Sequence, residues 1–252
     1  MTPEPYPLTH AHWKTERAKA HIDELKSAIA TFEADNPYKV TACEEPERDA
    51  VRYKIEITHP HVWLFLIAAD ALQCLRTALD QAIWSLARLT CEDPGRTQFP
   101  VFKDRPTSKN DFARWEQQTS GVPPKAVEFI ETLQPYNRPE GAPITSSPLW
   151  LLHEMNRIDK HCSLSVRRMG TLIHSHNFAP HPDFARTTVE ETDYGCDVLR
   201  FGIEKGIQPE FSPMIVFGEE KSGVNISVNE IERIYEFVAD HVLPRLAGFA
   251  RA

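Results

Sequence analysis

The stretch His61 to Leu89, HVWLFLIAADALQCLRTALDQAIWSLARL, constrains the fold more than any other part of the chain. It is apolar almost all the way round, which predicts a helix buried on most sides. At 1.5 Å per residue such a helix is about 40 Å long. Asp70, Gln73, Thr77, Asp80 and Trp84 recur at steps of three and four and form one narrow stripe, flanked by Arg76 and Gln81. A polar seam on a central helix marks the place to look for a site. By length the segment could cross a bilayer, but Asp70, Arg76 and Asp80 fall in its middle, where each is expensive in hydrocarbon. The expectation is therefore a core helix and no membrane.

Around it the chain alternates element types. Thr9 to Asp35 carries Trp13, Ile22, Leu25, Ile29 and Phe32 at mostly helical spacing among charges, an amphipathic first helix that Asn36-Pro37 ends. Tyr38 to Cys43 and Val51 to Thr58 alternate with period two and read as a hairpin across EEPERDA. Beyond the central helix, FPVF (Phe99 to Phe102) is extended, and a short helix is expected over Asp111 to Gln118. Another runs from Pro123-Pro124 to Leu133. Ser147 then caps PLWLLHEMNRIDKH, with Pro148 at the first helical position. The pattern next turns to strands: SLSVRRMGTLIHSHNF, Thr187 to Thr192, Val198 to Ile203 and Met214 to Gly218. A terminal helix from Val228 to Phe249 follows, with Ser227 and Glu230 as a capping box. This order predicts one α+β domain over 1–252: a helical bundle around the central helix, with a hairpin and an antiparallel carboxy-terminal sheet. It is helix-rich over 1–163, strand-rich over 164–226 and closed by the helix of 227–252.

The formal net charge is -8, so contact with nucleic acid or phosphate requires a local positive patch. Five cysteines without a CxxC pair fit a reducing compartment. The amino-terminal MTPEPYPLTHAHWKTERAKA lacks the basic region and apolar core of a signal peptide, which makes the cytoplasm the expected location. There is no GxGxxG, phosphate loop or GxSxG, and no cofactor is expected.

Three constellations could carry chemistry. Arg76 and Asp80 lie four apart and can pair along the central helix, as a site or as an ion pair that fixes helix register. His153-Glu154 begins like the helical zinc motif, but that motif needs a second His at 157, which here is Arg. What remains there is Asn156, Arg157, Lys160 and His161 at a helix end, with Arg167 and Arg168 beyond. Such a basic island suits a phosphate or carboxylate ligand, or simply places cations at a helix carboxyl end. His174 and His176, with His181 beyond, share a strand face without a convincing carboxylate or cysteine partner, so no metal is expected there.

LIAADALQCLRTALDQAIWSLA, FPVF, LQPY and NRIDKH together resemble a group of bacterial proteins of undefined function, whose central helix reads like LRSALDH and later helix like NIDKH. Arg followed by four residues and then His is also similar to the RNA-cleaving helical motif of HEPN proteins. In that motif the Arg stabilises phosphate charge and the His orients or transfers a proton at the RNA 2′-hydroxyl, without a metal. The resemblance implies RNA or another phosphate-bearing ligand, with Arg76, Asp80 and His161 as catalytic candidates and Gln81, Asn156, Arg157 and Lys160 as ligand contacts. Gln81 stands where the His belongs, and glutamine performs no acid–base chemistry near neutral pH. Two readings follow: a relative that binds without cutting, or one in which His161 supplies the base from the other helix. Two further classes stay open. One is a non-catalytic interaction or small-ligand module, with the first and terminal helices as homodimer surfaces. The other is a metal hydrolase assembled from His153, Glu154, His161, Asp70 and Asp80.

Overall fold

The apolar run fixes the architecture: Val62–Ala87 forms one helix (α2) whose Leu75, Leu79, Ile83 and Leu86 are completely buried. Ala68, Ala71, Ala78 and Ala82 are buried with them, and side chains this small let neighbouring backbones approach closely. By length and composition α2 could cross a membrane, yet most of it is buried inside the protein, with Val62, Trp63, Leu66 and Trp84 left exposed. The computed structural model describes residues 8–35, 37–45, 50–161, 165–173, 188–191, 196–204, 211–219 and 223–250.

The remaining helices are α1 (Thr9–Ala34), α3 (Lys109–Gln118), α4 (Pro124–Thr132), α5 (Pro148–His161), α6 (Val228–Glu236) and α7 (Leu243–Phe249). The strands are β1 (Tyr38–Glu45), β2 (Ala50–Thr58), β3 (Ser165–Ile173), β4 (Thr188–Glu191), β5 (Cys196–Glu204), β6 (Phe211–Gly218) and β7 (Asn225–Ser227). The fold is α+β, with a long central helix, as the sequence pattern predicts.

Packing divides the chain into two compact units, one of Met1–Leu25, Phe65–Ser165 and Phe217–Ala252, the other of Lys26–Leu64 and Val166–Val216. In the first unit α1 buries Ala11, Thr15, Ala18, Ile22 and Leu25, a face that follows the helical repeat. Trp13, expected on that face, is off the repeat, 57% exposed, and packs edge-on against His10 instead. Lys19 of α1 lies within electrostatic reach of Glu232 and Tyr235 on α6. The capping box at Ser227 and Glu230 is present. The terminal helix is not uniform. Phe237–Val242 forms a π turn in which the Leu243 N–H reaches back to the Val238 carbonyl. Pro244 has no N–H to give and its ring crowds the preceding turn, and the wider π turn accommodates both. Gly218 closes β6 where a Cβ would collide with the Val224 carbonyl oxygen.

In the second unit the hairpin of β1 and β2 is antiparallel, as expected, and the carboxy-terminal strands are divided between two sheets, two of them joining the hairpin. β5 pairs with β2 and β4 with β5, all antiparallel, giving the order β1-β2-β5-β4. The register aligns Val40, Ile55, Leu199 and Val189 in one row across the four strands, and Thr41, Lys54, Arg200 and Thr188 in the next. The first of these rows is apolar on every strand, which favours this register. β3 pairs with β6 in a second sheet.

Candidate functional site

The polar stripe of α2 is its open side rather than a seam inside a bundle: Asp70 and Gln73 are exposed, Thr77 and Asp80 half-buried, and Trp84 is 45% exposed. Arg76, at the edge of the stripe, is buried. Its Nη2 donates to Asp80 Oδ1 at 2.9 Å and its Nε to Oδ2 at 3.3 Å. The same Nη2 donates to the Phe99 carbonyl at 2.7 Å, and Asp80 Oδ1 accepts the Phe99 N–H at 2.9 Å. The pair therefore satisfies both backbone groups of Phe99 and clamps the FPVF segment onto the central helix. A buried backbone segment outside a sheet needs such partners.

Gln134 does the same one step further on. It is 2% exposed, donates to the Pro100 carbonyl at 3.0 Å and the Ile130 carbonyl at 3.1 Å, and accepts the Phe102 N–H at 2.9 Å. Asn156 on α5 donates to the Leu72 carbonyl of α2 at 3.3 Å and to Leu152 at 3.0 Å. The central helix and the FPVF, LQPY and NRIDKH stretches are thus joined to one another by side-chain-to-backbone hydrogen bonds. Their polar residues hold backbone.

That framework presents a basic and aromatic face. His153 on α5 is half-buried, and its pKa is pushed down to about 4, first by burial and then by the Arg76 charge. Arg114 and Arg157 also oppose its protonation, and Glu154 alone among the groups acting on it favours it. Glu154 is held below the usual carboxylate range, chiefly by its hydrogen bonds with Arg157, with Oε1 at 2.6 Å and Oε2 at 3.0 Å, and also by Lys103. Trp150 lies 5.9 Å from the His153 ring, and Lys103 lies 5.9 Å from Trp150. The Arg114 guanidinium stacks 4.1 Å from the Phe102 ring centre, and Trp115 packs on Phe102 at 5.7 Å. At neutral pH a histidine held near 4 is an uncharged hydrogen-bonding group set among cations.

Among the residues singled out from sequence, Arg76 and Asp80 are together and Asn156 lies against α2. Asp159 is raised above the usual carboxylate range by burial and then by Asp70. Leu72 opposite Asn156, Asp70 near Asp159 and Arg76 near His153 make α2 and α5 antiparallel. The Arg76 charge acts on His153 of α5, and the backbone of His161 lies about 12 Å further along the axis. The His161 side chain lies outside the described residues, as do the side chains of Arg167 and Arg168 and all of Cys162, His174, His176 and His181. Arg157 is committed to Glu154, and Lys160 is exposed. Gln81 is half-buried, and its Oε1, like Arg76 Nη1 and Asn156 Oδ1, is buried with no hydrogen-bond partner among the described residues. Among the described residues no three His, Cys, Asp or Glu side chains are grouped as a metal site, and His153, Glu154, Asp70 and Asp80 do not converge.

Sequence reasoning missed His153, Lys103 and Arg114 as neighbours. The signal available was the alternation of cations with aromatic residues through FKDRPTSKNDFARW. No family model, curated protein or solved structure matches the chain.

Proposed function

We propose that the protein binds a phosphate-bearing ligand, RNA in the first instance, on the face formed by Lys103 and Arg114 beside His153. The observation that carries this reading is the placing of two cations on aromatic rings beside His153 and Glu154, Lys103 5.9 Å from the Trp150 ring centre and Arg114 4.1 Å from that of Phe102, in a chain whose net charge is -8. Such a local excess of cations attracts polyanions in a salt-dependent way. The reading favours binding over cutting. Arg76 is engaged with Asp80 and Phe99, and Gln81 cannot take or give a proton. A neutral histidine of low basicity suits a hydrogen-bond partner better than a general base. The free thiols of Cys43, Cys74 and Cys91 accord with a reducing, cytoplasmic setting.

The test is fluorescence anisotropy of a labelled single-stranded RNA with the full chain at 50 mM and 200 mM salt. Micromolar binding that weakens steeply with salt, and weakens at least fivefold in Lys103→Ala/Arg114→Ala, is expected. Absence of binding at the lower salt, or unchanged binding in that double variant, refutes the reading. The same RNA run on a gel is expected to stay intact. Cleavage lost in His161→Ala would restore the cutting alternative.

A further inference from the structure

We propose that the slot beside this face, between α3 and the turn at Pro135–Asn137, takes a nucleobase of the ligand, so that the ligand is a single-stranded nucleic acid read by stacking. The inference rests on the phosphate-binding reading and adds to it the chemical class of what is bound.

The slot has a volume of about 340 Å³, at the lower end of the range of small-molecule sites, and is lined by Arg105, Pro106, Phe112, Trp115, Glu131 and Tyr136. Three of the six are aromatic, and Phe112 is 52% exposed. A large aromatic side chain left this open on a short amphipathic helix contributes little to the core, but offers a flat face to a planar ligand. Opposite it, Tyr136 is covered on one side by the Arg105 guanidinium, 5.0 Å from the ring centre. Arg105 is itself fixed by Asn137 Oδ1 at 3.2 Å and Glu131 Oε1 at 3.8 Å. Stacking on aromatic rings and guanidinium planes is how unpaired bases are held, and it is largely tolerant of sequence.

Glu131 decides what sits in the slot. Paired with Arg105 at 3.8 Å, it leaves the slot wall with no net positive charge to hold a phosphate, while its oxygen can accept a hydrogen bond from an amino group on a base edge. The phosphates are better held by the cations next door. Phe102 forms the partition: Trp115 packs on it from the slot side, and Arg114, the preceding residue on α3, stacks on the same ring. A strand with one base in the slot would run its backbone over Arg114 toward Lys103 and His153. Both walls are anchored through one residue, because Gln134 holds the Phe102 N–H and directly precedes Pro135 and Tyr136. The slot is therefore preformed, which lowers the ordering cost of binding.

The experiment compares a labelled single-stranded RNA dodecamer with an abasic strand of the same length, by anisotropy against the full chain and the variants Phe112→Ala and Arg114→Ala. Phe112 is exposed enough that its loss leaves the fold intact, which circular dichroism checks. The base-bearing strand is expected to bind about tenfold more tightly than the abasic one, within what one stacked base contributes. Phe112→Ala is expected to remove most of that difference and leave the abasic affinity unchanged, whereas Arg114→Ala weakens both strands alike. Equal affinity of the two strands, or a base preference that survives Phe112→Ala, overturns the slot while leaving the phosphate reading standing. If neither strand binds at low salt, the phosphate reading fails, and the slot inference with it.

Discussion

Replacing Arg76 with methionine tests whether the residue holds the structure or serves a ligand. The substitution keeps the apolar volume and removes the guanidinium, leaving the Phe99 carbonyl without its 2.7 Å donor in a buried setting. An unsatisfied buried carbonyl costs about 1–3 kcal/mol, and a hydrogen bond to a charged group contributes about 1.5–3 kcal/mol. Asp80 loses two bonds but keeps the Phe99 N–H, and with its side chain 35% exposed it regains water. Burying Arg76 is itself costly, and its removal returns part of that penalty. The net expected loss is about 2–4 kcal/mol. Asp80→Asn should cost more, about 3–5 kcal/mol, because it leaves the buried guanidinium without a counter-charge. The double variant should then be less unstable than the sum of the singles, by at least about 1 kcal/mol. Urea unfolding followed by tryptophan fluorescence gives all three values. If Arg76→Met lies within about 0.5 kcal/mol of the parent protein, or the two substitutions add without coupling, Arg76 and Asp80 are not a clamp. Loss of RNA binding at unchanged stability would place Arg76 in the site instead.

His153 gives a pH prediction. Folded, it protonates only near 4, whereas in the unfolded chain it protonates near the ordinary value of 6.5. Between those values the unfolded state binds more protons, so stability is complete above pH 6.5 and is lost as pH falls toward 4, by at most about 3 kcal/mol. His153→Gln should flatten that part of the stability profile, and the imidazole proton resonance that this substitution removes should titrate near 4 in the folded protein; the same resonance titrating near 6.5 would contradict the assignment. Gln134→Leu leaves the Phe102 N–H and Pro100 carbonyl unpaired and should cost about 2–4 kcal/mol in urea unfolding. The same substitution should shift tryptophan emission to the red as Trp115 loses its support; an unchanged spectrum would argue against Gln134 as the anchor of that face.

Much of the framework is legible in the sequence because it is local. The repeat of Leu75, Leu79, Ile83 and Leu86 declares a buried helix, and Ser227 with Glu230 declares a helix start. The alternation in Val51 to Thr58 marks a strand, but which strand it joins depends on a register with Cys196–Glu204 formed across the chain. The site is legible only in part, for a definite reason. Arg76, Asp80, Gln134 and Asn156 are recognisable as polar residues in apolar company, but their partners are the backbone groups of Phe99, Pro100, Phe102 and Leu72. Every residue carries those groups, so nothing in the sequence names the partner. His153 is a failed zinc ligand when read along its own helix. Its low basicity arises first from burial and then from Arg76 and Arg114, which reach it from other elements. Pro244 did carry a signal for the π turn, since a proline inside a helical pattern must disturb it.

The make-up of the first unit also sets a timetable for biosynthesis. Its opening segment, with Ala18, Ile22 and Leu25 of α1, leaves the ribosome early, while its closing segment, from Phe217, lies on the order of 200 residues later. At roughly 5–20 residues per second, the nascent chain waits on the order of ten to forty seconds before that unit can be complete. During that interval the early helix is a natural client for chaperones that hold emerging chains, and translation stalls before Phe217 would be the events most apt to send this protein to aggregation.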